Sequence, residues 1–149
     1  MEIIKANLAD CEVLLALQRQ AYQSEAELHQ DHDIPPLTQT LEEFKAAFQT
    51  RTVLKVVEDG EILGSGQAHF DGHTIYLGRM AVWPQAQGRG IGTKLMSALE
   101  GINSEAKRIE LFTGEKSEAN LAMYKRRGYK VFKQAKLGKT TVLFLEKLL

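Results

Sequence analysis

The chain has 149 residues, 26% of them charged, and its nineteen Lys and Arg balance nineteen Asp and Glu to a formal net charge of zero. That length suits one continuous core, expected here as one domain over residues 1–149, and the balanced charge removes the field that draws proteins to nucleic acid or anionic membranes. Cys11 is the lone cysteine, so no internal disulfide forms and no Cys/His set has metal-ligand spacing.

The opening "MEIIKANLADCE" lacks the basic start and apolar run of a secretory signal. No apolar stretch nears the roughly 18 residues that span a bilayer, so a cytoplasmic protein with no metal, membrane or nucleic-acid partner is the expectation. "EIIKA" reads as a first strand. "LADCEVLLALQRQAYQSEAEL" repeats apolar residues at helical spacing through Val13, Leu17 and Tyr22 and predicts one helix. "HQDHDIPPLTQ" loses the pattern, and Pro35 and Pro36 predict an irregular loop. Thr40 and Glu43 then form a capping box before a second helix with Leu41, Phe44 and Phe48 on its apolar stripe.

Asp59-Gly60 and Asp71-Gly72 separate "TVLKVVE", "EILGSGQAHF" and "TIYLGRMAV", which predicts an antiparallel meander with tight turns. Ile91, Leu95, Leu99 and Ile102 recur at helical spacing. "RIELFT" is a strand, "SEANLAMYKRR" a helix stopped by Gly128, and "YKVFKQAK" pairs with "TTVLFLEKL" about Gly138. The order is mixed α/β.

The stretch "MAVWPQAQGRGIGTKL" places Gly88, Gly90 and Gly92 at the entrance of a helix. Such a run lets backbone amides converge, and with the partial positive charge of the helix end it suits a diphosphate. A P-loop needs Gly directly before Lys, but Thr93 precedes Lys94. The dinucleotide fingerprint fails too, because Thr93 stands where its third glycine belongs and the preceding strand ends a meander.

This stretch resembles the acyl-CoA signature of the GNAT superfamily of N-acyltransferases, Q/R-x-x-G-x-G/A after a strand ending V-x-P. Gln87, Gly90 and Gly92 hold the defined positions, and Val82 and Pro84 match the strand end. Downstream, "SEANLAMYKRRGY" resembles the family's later helix, with an Asn, a Tyr and a Gly-aromatic pair. The family often carries Asn where Ser117 stands and a small residue where Asn120 stands, so either side chain is a candidate contact to the cofactor. The order of elements is similar from Met1 to Leu149.

The resemblance implies a single GNAT-like domain of α/β (α+β mixed) class: a mostly antiparallel mixed sheet, helices on both faces, split at the signature strand to admit acyl-CoA. It implies transfer of an acetyl group from acetyl-CoA to a primary amine by direct attack in a ternary complex, without metal. Backbone groups of Met80, Ala81 and Val82 would meet the pantetheine arm, a Met80 N–H the developing oxyanion, and Gln87, Gly88, Arg89, Gly90, Ile91, Gly92 and Thr93 the diphosphate. Asn120 and Tyr124 would line the arm, with Tyr124 as the acid for the departing thiolate.

"TIYLGRMAV" contains no carboxylate, so the base stays open among Glu25, Glu27, His29, His32, Asp33, His69, His73 and water. Arg79 has three readings: a contact to an acidic part of the acceptor, a contact to Glu25, or a structural ion pair, the last being the favoured one. Lys125, Arg126 and Arg127 either end a helix or reach the phosphates. A small-molecule amine is the expected acceptor, and the acidic loop "HQDHDIPPLTQ" suggests a cationic one. The alternatives are a protein or peptide amine, or a non-catalytic acyl-CoA sensor. An exposed sheet edge also leaves a homodimer open.

Overall fold

A computed structural model describes residues 1–149. Strand β1 (Glu2–Lys5) leads into a single 3-10 turn, Leu8–Asp10, capped by Asn7 and Asp10. The long helix expected next is two: α1 (Cys11–Ala21) and α2 (Gln23–His29) meet at Tyr22, whose φ of −88° and ψ of 0° lie off the helical values. Helix α1 buries Cys11, Leu14, Leu15, Leu17 and Gln18. Val13, expected on the buried stripe, is instead 46% exposed, because Leu14 and Leu17 set the face turned to the sheet.

The loop expected around Pro35 and Pro36 contains a short helical turn, α3 (Pro35–Thr38), with proline at its first positions. There the ring's fixed φ suits a helix start and the missing N–H costs nothing. Thr40 caps α4 (Leu41–Ala47) as expected: Glu43 N–H donates to Thr40 Oγ1 at 3.2 Å and Thr40 N–H to Glu43 Oε1 at 2.9 Å.

The meander follows as β2 (Thr52–Glu58), β3 (Glu61–Phe70) and β4 (Thr74–Val82). Asp59 and Gly60 form a two-residue turn at φ 52° and 79°. The second turn is longer than expected. Asp71, Gly72 and His73 all lie in it, since the Asp71 carboxylate accepts from the amides of His73 (2.9 Å) and Thr74 (2.7 Å) and widens the loop. Helix α5 (Ile91–Glu100), strand β5 (Arg108–Gly114), helix α6 (Glu118–Arg126) and the hairpin of β6 (Lys130–Leu137) and β7 (Thr140–Leu148) complete the chain.

The seven strands form one sheet in the order β1-β2-β3-β4-β5-β7-β6, antiparallel throughout except for β4 with β5. On one face α5 packs Ile91, Leu95, Met96 and Leu99 against Val56, Ala68, Ile75 and Ile109. On the other, α1 and α4 pack Leu14, Leu17 and Phe44 against Val53 and Ala81. Helices thus cover both faces, as the resemblance implies.

Two features of β4 open the sheet. Ser65 pairs with Ala81 and Gln67 with Gly78, so Gly66 alone faces both Arg79 and Met80 across a bulge, and Arg79 takes a positive φ of 55°. Such bulges bend a strand and increase its twist. The parallel pairing with β5 is accordingly confined to Thr74–Arg108, Ile75–Ile109 and Tyr76–Glu110. Beyond Tyr76 the two strands part.

A carboxylate fastens the far end of the loop after α2. Asp31, 3% exposed, accepts from Thr140 Oγ1 at 2.7 Å and from Asp33 N–H at 3.2 Å, tying this segment to the β6–β7 turn. The Thr140 hydroxyl holds the Asp31 carboxyl below the usual carboxylate range. A carboxyl with a depressed folded pKa adds stability above its unfolded value of about 3.9, and that contribution disappears as pH falls through the folded value.

Two outcomes follow in stability measurements. Thr140→Val lowers Tm at pH 7, and its gap from the wild type narrows below about pH 4 as Asp31 becomes protonated; a gap independent of pH would detach the effect from this carboxylate. At Gly66 an added Cβ would lie 2.8 Å from Leu99 Cδ1 and 3.3 Å from Leu95 Cδ2. Overpacking by Gly66→Val should cost about 1–3 kcal/mol in urea unfolding.

Candidate active site

The parting of β4 and β5 creates a cleft of about 810 Å³, within the range of small-ligand sites. One wall is β4 from Leu77 to Val82 and the other is β5 from Leu111 to Gly114. Trp83 N–H donates to Leu63 O at 3.1 Å, so Trp83 and Ala81 turn their amides towards β3. Backbone groups alternate along a strand, which leaves the Val82 amide directed at the cleft, while Met80 lines it from the bulge.

Gln87, Gly88, Gly90, Ile91, Gly92 and Thr93 line the cleft mouth. Gly90 caps α5 at φ 76°, a conformation glycine adopts without strain. The first backbone bond of the helix runs from Lys94 N–H to Gly90 O at 3.1 Å. The amides before Lys94 therefore keep their hydrogens for a ligand, and the helix end adds partial positive charge. Arg89 is not part of this lining: its guanidinium pairs with Glu58, half exposed to solvent.

Tyr124 and Asn120 reach the cleft from α6, while Tyr22 and Glu25 reach it from the α1–α2 junction. Tyr124 is 7% exposed. Burial raises its pKa, and the neighbouring Tyr22 and Glu25 raise it further, so the phenol is protonated at neutral pH. Burial also pushes the Tyr22 hydroxyl up to about 12, with Glu25 adding to the rise and Arg79 opposing it. Tyr129, by contrast, spends its hydroxyl on Glu100 at 2.7 Å.

Glu25 is held from α6. Its Oε2 accepts from the Ser117 hydroxyl and its Oε1 from Asn120 Nδ2 at 3.4 Å. Both α6 candidates for a cofactor contact thus meet Glu25 here, with Asn120 at the cleft wall and Ser117 behind it, 3% exposed.

The candidate bases separate by location. Glu27, His32, Asp33 and His73 do not line the cleft. His69 lines it, but its Nδ1 lies 2.9 Å from Thr50 O and its ring stacks on Tyr76 at 6.3 Å. His29 also lines it, and its nitrogens are both engaged. Its Nε2 accepts the Lys116 N–H at 3.1 Å, so Nδ1 carries the hydrogen given to Glu25 O at 3.0 Å. That is the neutral tautomer. The ring rests on Gly114, where a Cβ would come within 2.2 Å of Nε2. Glu110 lines the cleft paired with Arg108 at 3.0 Å. Glu25 is the carboxylate there without a cationic guanidinium or ammonium partner.

Arg79 corrects one expectation. Its guanidinium enters no structural ion pair and does not reach Glu25: Nη1 donates to Gln39 Oε1 at 3.0 Å. Gln39 is fixed in turn by Gln18 Nε2 at 3.0 Å and, through its carbonyl, by Arg19 at 2.9 Å. Neither Gln18 nor Gln39 stands out by residue type, since a buried glutamine in a helix and a half-buried one in a loop look like ordinary polar residues. Arg127 pairs with Glu100 and donates to Ser97 Oγ, which gives that residue of the basic helix end a structural role.

Comparisons with known proteins converge on this architecture. A profile of the acetyltransferase (GNAT) family matches residues 13–129. The acetyltransferase ECA0875 of Pectobacterium atrosepticum is 34% identical over 86 residues, which cover 56% of this chain and 61% of that protein. The chain spans between 37% and 61% of the length of such curated relatives. The PaiA N-acetyltransferase of Thermoplasma acidophilum, solved with coenzyme A, superimposes with a TM-score of 0.83 at 17% identity, over 99% of this chain and 98% of that one. YncA of Salmonella typhimurium, solved with acetyl-CoA, gives 0.72 at 21% identity, over 99% and 93%.

Proposed function

The chain belongs to the acetyltransferase (GNAT) family, and from that premise we propose that it transfers an acetyl group from acetyl-CoA to the primary amine of a small molecule within a ternary complex. The observation that carries the reading is the open edge of β4 beside the unengaged amides that precede Lys94. An extended chain with amide groups, such as pantetheine, can add to that edge as a strand would, while its diphosphate meets the mouth of α5. The fold is shared with proteins solved with coenzyme A and acetyl-CoA, which supports the same co-substrate here.

Bound acetyl-CoA supplies an activated carbonyl carbon: the amine nitrogen bonds to it, the carbon–sulfur bond breaks, and the net proton passes from nitrogen to sulfur. The Met80 amide, on the bulge that lines the cleft, is the donor for the charge that gathers on the carbonyl oxygen. Tyr124 donates a hydrogen bond to the departing thiolate. A thiol ordinarily titrates near 8.5, below a phenol whose pKa is raised from about 10, so this stabilisation does not require complete proton transfer. Glu25, oriented by Ser117 and Asn120, takes the amine proton. Proximity then supplies much of the remaining acceleration.

A thiol-release assay with acetyl-CoA and a panel of amines tests this. Turnover should appear with at least one small amine, and Tyr124→Phe should lower kcat by about 100-fold or more with little change in the KM for acetyl-CoA. Glu25→Gln should lower kcat/KM for the amine by about 100-fold with little change in the KM for acetyl-CoA. Binding of acetyl-CoA without thiol release from any amine or peptide would replace the catalyst by a sensor, and an undiminished Tyr124→Phe would remove that hydroxyl from the reaction.

A further inference from the structure

The acceptor half of the cleft contains charge that the chain itself does not balance. Arg89, Arg108 and Arg127 each pair with a glutamate. Arg79 and Arg51 line the cleft, and no carboxylate lies within ion-pair distance of either. Arg79 is half-buried, and its one side-chain hydrogen bond goes to the neutral Gln39 side chain. Desolvation lowers its pKa, the neighbouring Tyr22 opposes the shift and the Arg51 charge adds to it, while no carboxylate acts on it. A guanidinium removed from water and set beside another cation is costly unless an anion completes the site.

Geometry separates this anion site from the diphosphate seat. Arg79 stands at the bulge in the middle of β4 and bonds Gln39, next to Tyr22 on the face covered by α1. The unengaged amides lie past the far end of β4, where α5 begins. The loop places His29, Ile34, Pro35 and Pro36 on the cleft but none of its carboxylates: Asp31 is bound to Thr140, and Asp33 is exposed away from the cleft. The cationic acceptor suggested by that loop therefore loses its basis.

From these contacts we infer that the acceptor carries a carboxylate as well as its amine, as a free amino acid does. Arg79, assisted by Arg51, receives the carboxylate, and Glu25 faces the amine. The inference rests on the acetyl-transfer reading above and narrows its acceptor. Gln18 and Gln39 act as positioning residues, because Gln39 Oε1 fixes one edge of the guanidinium and leaves its other N–H donors for a two-oxygen partner. Lysine could not reproduce that planar fork.

The test uses free amino acids, each beside its carboxamide, with two readouts: thiol release from acetyl-CoA, and calorimetric binding of the N-acetylated acid and the N-acetylated amide. The free acids should exceed their amides by about tenfold or more in kcat/KM, the factor expected for loss of one charge-assisted contact. Arg79→Gln should abolish that preference by slowing the acids alone, and Arg79→Lys should restore it in part. Arg51→Gln, at an exposed position that leaves the bulge untouched, should weaken the preference and guards against misfolding of the Arg79 variants. Amides or simple amines acetylated as well as the acids, or an Arg79→Gln variant that slows both alike, would overturn the inference while leaving acetyl transfer intact. Arg79-dependent binding of the acids without any turnover would uphold the anion site and overturn the transfer reading. Absence of both would remove the inference.

Discussion

The separation of β4 from β5 is the constraint on which the site depends. Hydrogen bonding between parallel neighbours stops at Tyr76 and Glu110 although β4 continues to Val82 and β5 to Gly114. Buried backbone groups left without partners are costly, so a strand edge that faces a cleft is tolerated where water or a ligand completes it. The bulge at Arg79 and Met80 bends β4 away while its other edge stays paired with β3. One local irregularity thus accompanies an open edge, a cleft, and a guanidinium that lines that cleft.

The second half of the site is assembled from distant sequence. Glu25 belongs to α2, yet it is oriented by Ser117 and Asn120 of the α6 region, and His29 of the same helix docks on Gly114 and the Lys116 amide. Asp31 then anchors the following segment to Thr140. Three successive contacts therefore hold α2 against the β5–α6 junction and the last hairpin. A carboxylate on a short helix obtains a defined direction only because its neighbours on both sides are immobilised, and such precision is what proton transfer requires.

Much of this was legible in the sequence. The hairpin signal Asp59-Gly60, the capping box of Thr40 and Glu43, and the glycine run before α5 are local features whose chemistry acts over a few residues. They reappear nearly unchanged. Features set by tertiary contact were not legible: the break at Tyr22 and the exposure of Val13 depend on which face the sheet presents. The pairing of Arg89 was not legible for the same reason, since its partner Glu58 lies 31 residues away. Of the candidate bases, only the fold could distinguish Glu25, which is inside the cleft, from Glu27, which points to solvent.

The central claim is that the bare amides ahead of α5 hold a diphosphate and so align an extended thioester along β4. Calorimetric titration with coenzyme A addresses it directly. The account predicts saturable uptake at one site per chain, weakened by about tenfold or more when Gly90→Val forces a branched residue into a conformation at φ 76° that such residues avoid. No uptake by the wild type, or equal affinity in the folded variant, would contradict it.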